Sequence, residues 1–595
     1  MILPPPGIPW QVTGNHWLTL PCIHPVDASI HLAGVIHAQS RAAIEFAGSG
    51  EFMSGTGLPL VSLIVVVDGK RQTVGANGLS WQREFGWLPS FTCRFGDVLL
   101  RGTIFAPHGR DADMAGAVVA VAVENRSTTR VELLVGIEGT LGYRQQRVRT
   151  PVELMDGHRA TAGDDGIVVL EGAGMPGRPA LAVGGEGDCT RDIHQDLQSS
   201  WTIRREAVVE PGAVHEDAFM LSAGPERDGA MATLRTMKRR GWRSLLAATR
   251  TALQAMEPST GVAAADRMIS RNMFFTYFCG VARAIDDSQI YVMRSRIPWN
   301  GRGLTIRDWE ALMWILPAVQ LADEQLAREV LLRVCELHGH SPGGGVHYLD
   351  GSVFEPGFSL EGAASFPIAV DAYIVHTGDE QIVEDPILAD SLYGANEDIE
   401  ARKDTRFPLY STEINPDGGV PAHRYTIHGN AVTALALDVL RRTLDEKTSA
   451  GVQDSAAVRA AAMRHFAGQL PGGKSVLAAS SNLDGNASAA DEPAASMYWL
   501  PYFDLVGRDE SVYRRTVKRL ELETPATLEQ RCARLVGINT DAALDWLRRA
   551  PLDGGLAAEL VDEEGTAAGN GGDAALSGLI AYTVWYSVHA LGARV

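Results

Sequence analysis

The sequence lacks any cysteine pairing pattern. Its six cysteines, at 22, 93, 189, 279, 335 and 532, are scattered over 595 residues and none belongs to a CxxC pair. A zinc knuckle and a dithiol redox motif are therefore excluded. Positive charge is also scarce: 53 Lys and Arg stand against 72 Asp and Glu, a formal net charge of −19. No Lys/Arg stripe exists to neutralise phosphates, which argues against a nucleic-acid partner. The one basic cluster, Lys238-Arg239-Arg240 with Arg243, lies in a helix-forming stretch and reads as a solvated face. No apolar run approaches the length of a membrane span, and the opening MILPPPGIPW has no basic segment followed by an apolar core. The expectation is a cytoplasmic protein without a membrane partner, for which the sequons at Asn125 and Asn486 carry no meaning. A fixed-period repeat is likewise missing.

What the chain does have is enough apolar residue (45%, with 21% charged) and enough length for two or more globular domains. Residues 1–225 read as β structure. Val61–Val67, Val98–Phe105, Ala117–Glu124, Val131–Glu138, Ile167–Leu170 and Trp201–Val209 are strand-like runs separated by Gly, Pro, Asn and Asp clusters. Short strands with close turns predict an antiparallel β-sandwich. Residues 226–260 form a helical connector, and 261–595 a helical domain. The spacing predicts helices over 262–280, 305–321, 323–338, 361–376, 428–444, 454–468, 493–506, 509–520, 539–549 and 573–592. Those at 305–321, 361–376, 428–444, 493–506 and 573–592 are apolar nearly all round. Those at 323–338 and 454–468 are amphipathic. Buried inner helices wrapped by amphipathic outer ones predict an (α/α)6 barrel. The Gly/Ser/Asn-rich segment 469–492 reads as a loop.

Chemistry gathers where loops enter the apolar helices. The stretch 341–379 runs from Gly343-Gly344-Gly345 through His347, Tyr348, Asp350 and Glu355 to Glu361, at the start of an apolar helix. An acid is favoured there by the free N–H groups of the first turn, so helix capping is the plain reading of Glu361. Acids and aromatic residues on one loop also suit the cleavage of a sugar. Arg294–Glu310 carries Arg294, Arg296, Trp299, Arg307, Asp308, Trp309 and Glu310, which can form salt bridges or hold sugar hydroxyls beside a stacking indole. Pro551–Asp573 carries Asp553, Glu559, Asp562, Glu563 and Glu564, most of which must simply be solvated. A glycosidase needs two carboxyl groups, one to protonate the leaving oxygen and one ionised, and a fold can bring them together from distant loops.

The ordered set of these segments resembles the six-hairpin glycosidases, a superfamily that includes glucoamylases, glycogen-debranching amylo-α-1,6-glucosidases and the enzymes of glycoside hydrolase family 63. Thr305-Ile306-Arg307-Asp308 resembles the family's Trp-x-Arg-Asp segment. Gly357-Phe358-Ser359-Leu360-Glu361, with Thr377-Gly378-Asp379 after it, resembles the helix start that bears the general acid. Glu559 to Gly565, before the apolar last helix, resembles the segment of the general base. The resemblance implies an inverting hydrolase acting on a carbohydrate without a cofactor. Glu361 would be the acid, Glu559 (rather than Glu563 or Glu564) the base, and Asp308 a sugar ligand supported by Arg307. The family's acid is often Asp, so Glu361 is a departure, although glucoamylases use Glu.

Trp299, Trp309, His347, Tyr348, Glu355, Tyr410, His428, Asn430 and Trp499 are further candidates for contacting substrate, each also explicable as a packed residue. His338, His340 and Cys335 lie close in sequence, but a His-Gly-His spacing at a helix end reads as C-capping, and no metal is expected. A disaccharide phosphorylase has the same architecture but needs a phosphate cluster where 551–573 offers acids. A polysaccharide lyase would want a basic cleft. A non-catalytic carbohydrate-binding protein would not need acids at both positions.

Overall fold

The run Gly116–Asn125 shows no alternation of polar and apolar residues, the pattern of a strand covered on both faces. It is an interior strand, paired with Val98–Phe105 on one side and Val214–Gly224 on the other. These belong to an eight-stranded antiparallel sheet in the order Arg159–Ala162, Val168–Glu171, Ala180–Gly185, Val214–Gly224, Gly116–Asn125, Val98–Phe105, Leu88–Phe95, Ser80–Glu84. Helix α1 (Arg227–Arg240) packs on Val214–Gly224 and Ala180–Gly185. Val131–Leu141 does alternate at its start: Val131, Leu133, Val135 and Ile137 are buried and Glu132 is exposed. It is the middle strand of a five-stranded sheet, and a third sheet of six strands runs from Gln11–Gly14 to Pro151–Glu153. Phe46, Phe91, Trp201 and Phe219, drawn from all three sheets, lie in one core. Helix α2 (Trp242–Met256) follows α1 after Gly241, whose φ of 78° suits glycine.

This computed structural model describes residues 10–49, 58–155, 157–174, 178–195, 199–469, 475–488, 496–520, 527–538, 540–550, 552, 557, 560–566 and 571–593. The chain forms two compact units. The first is Met1–Glu257 with Val281–Tyr291 and Ser295–Leu304, and the second is Pro258–Gly280 with Val292–Arg294 and Thr305–Val595.

The second unit is helical. Its longer helices among the described residues are α3 (Ala263–Cys279), then α4 in three consecutive segments (Asp308–Glu310, the π-turn Ala311–Ile315 and Leu316–Ala322), α5 (Glu324–His338) and α6 (Leu360–Thr377). These are followed by α7 (Pro386–Glu400), α8 (Ile427–Thr443), α9 (Ser455–His465) and α10 (Ser511–Leu520), and then α11 (Leu528–Val536), α12 (Thr540–Arg549) and α13 (Ala574–His589). The π-turn ends two residues before Pro317, which has no N–H to offer the carbonyl four residues back; the extra residue accommodates that loss. Helix α13 packs on α3 and α11, α3 on α4, α4 on α6, and α6 on α8. Helices α6, α8 and α13 are buried over most of their length. By contrast α5, capped by Asp323 (whose Oδ1 accepts from Gln325 N and Leu326 N), buries one stripe through Leu326, Val330 and Val334.

Three expectations need correction. The helix expected over 493–506 is, in its described part, only a 3₁₀ turn at Ser496–Trp499. Pro501 lacks the N–H that would carry an α-helix through, and Asp504 has a φ of 54°. The loop expected over 469–492 contains the short strands Ser475–Leu477, Ser480–Ser481 and Ala487–Ser488. Two helices, α7 and α11, were not foreseen, although both are signalled. Asp385 caps α7 with Pro386 in its first turn, and Thr527 and Gln530 form a capping box on α11.

Candidate active site

The site is built from the first turns of the buried helices. At the start of α6 the capping duty falls to Ser359, whose Oγ accepts from Gly362 N at 3.2 Å. Glu361, one turn position on, is thereby released from it. Its side chain is 0% exposed. Oε1 lies 3.1 Å from His428 Nδ1, and Oε2 has no hydrogen-bond partner among the described residues. His428 sits in the first turn of α8, capped in turn by Thr426. The two helices approach closely at Gly429, where an added Cβ would stand 2.7 Å from Thr426 Oγ1 and 3.1 Å from Glu361 Oε1. Glycine there sets the spacing between acid and imidazole.

His428 is the member of this pair that reaches open space. Its ring meets Trp309 edge-on (centroids 5.6 Å apart, planes at 75°) and Phe503 likewise (5.5 Å, 83°). All three line a pocket walled also by Trp314, Trp499, Tyr502 and Tyr582, in which Glu529 is the one carboxylate among the described residues. The Tyr502 and Tyr582 hydroxyls are 2.8 Å apart. Burial pushes both phenols up, so they act as neutral hydrogen-bonding groups. An aromatic wall with a few convergent polar groups is the usual make-up of a small-molecule site.

Beside the pocket lie two buried charge clusters. In the first, Arg294 bonds Asp573 Oδ2 through Nε at 2.7 Å and Glu310 Oε1 through Nη1. All three residues are buried. Asp573 caps α13 through Oδ1, and Glu310 Oε2 accepts the Arg307 N–H at 3.2 Å. The cluster thus ties the starts of α4 and α13 together. In the second, Asp308 Oδ1 lies 2.8 Å from His338 Nδ1 and 3.4 Å from His347 Nε2, while Oδ2 accepts the Gly343 N–H at 2.8 Å. His347 Nδ1 faces the Gly351 carbonyl at 3.0 Å. Burial alone would raise the Asp308 pKa, but His347 and His338 outweigh it and hold the carboxyl well below its usual range. Burial, with His347 beside it, lowers His338 from 6.5 to about 4. Burial also works against a charged His347, yet Asp308 and the Gly351 carbonyl raise it overall. The cluster is therefore an Asp308 carboxylate between a neutral His338 and a charge-prone His347.

The same three residues offer one metal-ligand atom each within 4.8 Å of one another. Ring geometry argues against a cation there. The two imidazoles are stacked, with centroids 4.1 Å apart and planes at 10°. A metal bonded at about 2 Å must lie near the plane of each ring, and two stacked planes share no such point. The arrangement suits shared hydrogen bonds.

The remaining sequence candidates divide. Trp309, His428 and Trp499 line the pocket. Arg307 is half-buried and packs over Gly418. Asp308 and His347 face each other at 3.4 Å and do not line the pocket. Tyr410 is buried with its hydroxyl on Glu400 at 2.8 Å. Asn430 accepts the Tyr410 N–H and donates to the carbonyls of Tyr410 and Thr426. Tyr348 packs on Phe354, and Glu355 is an exposed residue of the strand Val353–Glu355. Trp299 is a buried residue of the first unit. Glu559 lies outside the described residues, while Glu563 and Glu564 are exposed. Glu529 and Phe503 were missed. Thr527-Leu528-Glu529-Gln530 is a capping-box sequence, and it would have placed Glu529 on a helix start like the other site residues.

No family model matches the sequence, and no curated protein matches it. Solved structures do. A bacterial glucoamylase complexed with acarbose aligns over 100% of this chain and 96% of its own, with a TM-score of 0.60 and 10% identity. A human-microbiome protein assigned provisionally to the kojibiose phosphorylases aligns over 97% and 86%, with a TM-score of 0.57 and 9% identity. A Streptococcus pneumoniae protein from a family of metal-independent α-mannosidases aligns over 56% of this chain, with a TM-score of 0.46 and 12% identity, too low to bear on the fold. The chain shares its fold with the glucoamylase and the kojibiose phosphorylase-like protein, with a sheet-rich N-terminal part and a helical C-terminal part. At this level of identity the likeness concerns the fold alone.

Proposed function

We propose that the protein is a carbohydrate-processing enzyme, and more narrowly an inverting, exo-acting glycoside hydrolase working in the cytoplasm. Its substrate would be a small oligosaccharide or glycoside, with an α-linked glucose favoured. The helices of the second unit are read as an (α/α)6 barrel and the N-terminal sheets as a β-sandwich. One observation carries the reading: a fully buried glutamate, Glu361, paired with the imidazole of His428 on the wall of an aromatic pocket. An aromatic-walled pocket beside a buried carboxyl–imidazole pair suits acid-assisted departure of a sugar's leaving oxygen. The second carboxylate is Glu559 by the sequence resemblance. Glu529 is the carboxylate that lines the described pocket. The likeness to a phosphorylase makes phosphate the alternative acceptor to water.

The test is product release from α- and β-linked glycosides and oligosaccharides, with and without phosphate, following the product anomer by NMR. Wild type should release sugar without phosphate and with inverted configuration. Glu361→Gln should lower kcat by about 10²–10⁴-fold, the range for loss of a general acid or base. Strict dependence on phosphate would make the protein a phosphorylase. Full activity in Glu361→Gln would remove that residue from the chemistry.

A further inference from the structure

We infer that the group delivering the proton to the leaving oxygen is the imidazole of His428, with Glu361 as the residue that orients it. The inference rests on the hydrolase reading above and assigns its acid step to a different atom. Glu361 is 0% exposed and takes no part in the pocket wall, whereas His428 does. Nδ1 of His428 is committed to Glu361 Oε1 at 3.1 Å. Nε2 has no hydrogen-bond partner among the described residues, and the His428 ring is walled edge-on by Trp309 and Phe503. A carboxylate behind one ring nitrogen fixes the tautomer and stabilises the imidazolium, leaving the other N–H to act on substrate. Gly429 keeps the carboxylate at this distance, since any Cβ there presses on Glu361 Oε1.

In the step, the Nε2 proton of the His428 imidazolium passes to the glycosidic oxygen as the bond from that oxygen to the anomeric carbon breaks, and the bonding pair leaves with the oxygen. Water forms the new bond to the anomeric carbon and gives up a proton to a carboxylate of the site. Neutral His428 then takes back a proton from solvent as that carboxyl releases its own, so both groups return to their starting states. The sum is one glycoside plus one water giving a free sugar and an alcohol.

The experiment compares two substrates that differ in how much they need an acid: an unactivated disaccharide and a glycosyl fluoride of the same sugar, whose leaving group departs with little protonation. The proteins are wild type, His428→Gln, His428→Ala and Glu361→Gln, with folding checked by circular dichroism. His428→Gln should lose about 10²-fold or more in kcat on the disaccharide and much less on the fluoride. Added imidazole should restore part of the disaccharide activity of His428→Ala. Disaccharide activity of His428→Gln near the wild-type rate would overturn the inference, as would equal losses on both substrates. In either case a Glu361→Gln variant that stays inactive leaves the hydrolase reading standing with Glu361 as the donor. Wild type silent on both substrates would bring down the hydrolase reading, and this inference with it.

Discussion

Acid should destabilise the second unit through one imidazole, and replacing His338 by asparagine should remove most of that effect. In the native state His338 is buried, with a pKa lowered from 6.5 to about 4. In the unfolded chain it titrates near its ordinary value. Above pH 6.5 the ring is neutral in both states and its packing and bond to Asp308 are fully available. As the pH falls from 6.5 towards 4 the unfolded chain binds a proton that the native state does not, so stability is lost across that window. With these values, moving from pH 8 to pH 5 costs about 2 kcal/mol. Asparagine can place an amide N–H where Nδ1 donates to Asp308 Oδ1, but it cannot titrate. Asp308 and His347 are present in both proteins, so their own acid responses largely cancel in the comparison. The assay is urea unfolding of wild type and His338→Asn at pH 8 and pH 5, followed by helical circular dichroism, with midpoints converted through the slope. The variant starts less stable at pH 8 because packing is lost, yet it should lose about 2 kcal/mol less than wild type on going to pH 5. Equal acid losses in the two proteins would refute the reasoning.

Two further outcomes follow from buried polar groups. Replacing Arg294 by methionine leaves Asp573 and Glu310 without their shared cation. It should cost about 3–5 kcal/mol in thermal or urea unfolding, and a loss below 1 kcal/mol would mean that the cluster is solvated. Asn430→Asp sets a carboxylate against the carbonyls of Tyr410 and Thr426 in place of two N–H donors. It should destabilise by about 2–4 kcal/mol, whereas an unchanged melting temperature would show that Asn430 is not held as described.

Local signals were readable and distant pairings were not. Asp323 and the stripe Leu326, Val330, Val334 announce α5 because capping and helical periodicity are both written within a few residues. The buried helices α4, α6 and α8 show as apolar stretches, and their starts point to Asp308, Glu361 and His428. What no local pattern contains is the partner of each. Glu361 and His428 are 67 residues apart, and Arg294 and Asp573 are 279 apart. Asp308 and Arg307 were read together as sugar contacts, whereas in the fold Asp308 is engaged by histidines 30 and 39 positions on. Apolar composition also misled over 493–506, where Pro501 outweighs it. Glu529 escaped because its helix was missed, not because the capping-box signal was absent.

At the start of α6 the side chain that secures the helix is Ser359, and the side chain that reaches the neighbouring helix is Glu361; at the start of α8 the same division holds between Thr426 and His428. Helix closure and the contact between helices thus fall to separate positions. A lineage can exchange the residue two places after the cap and try a new reaction while the helix beneath it stays in place.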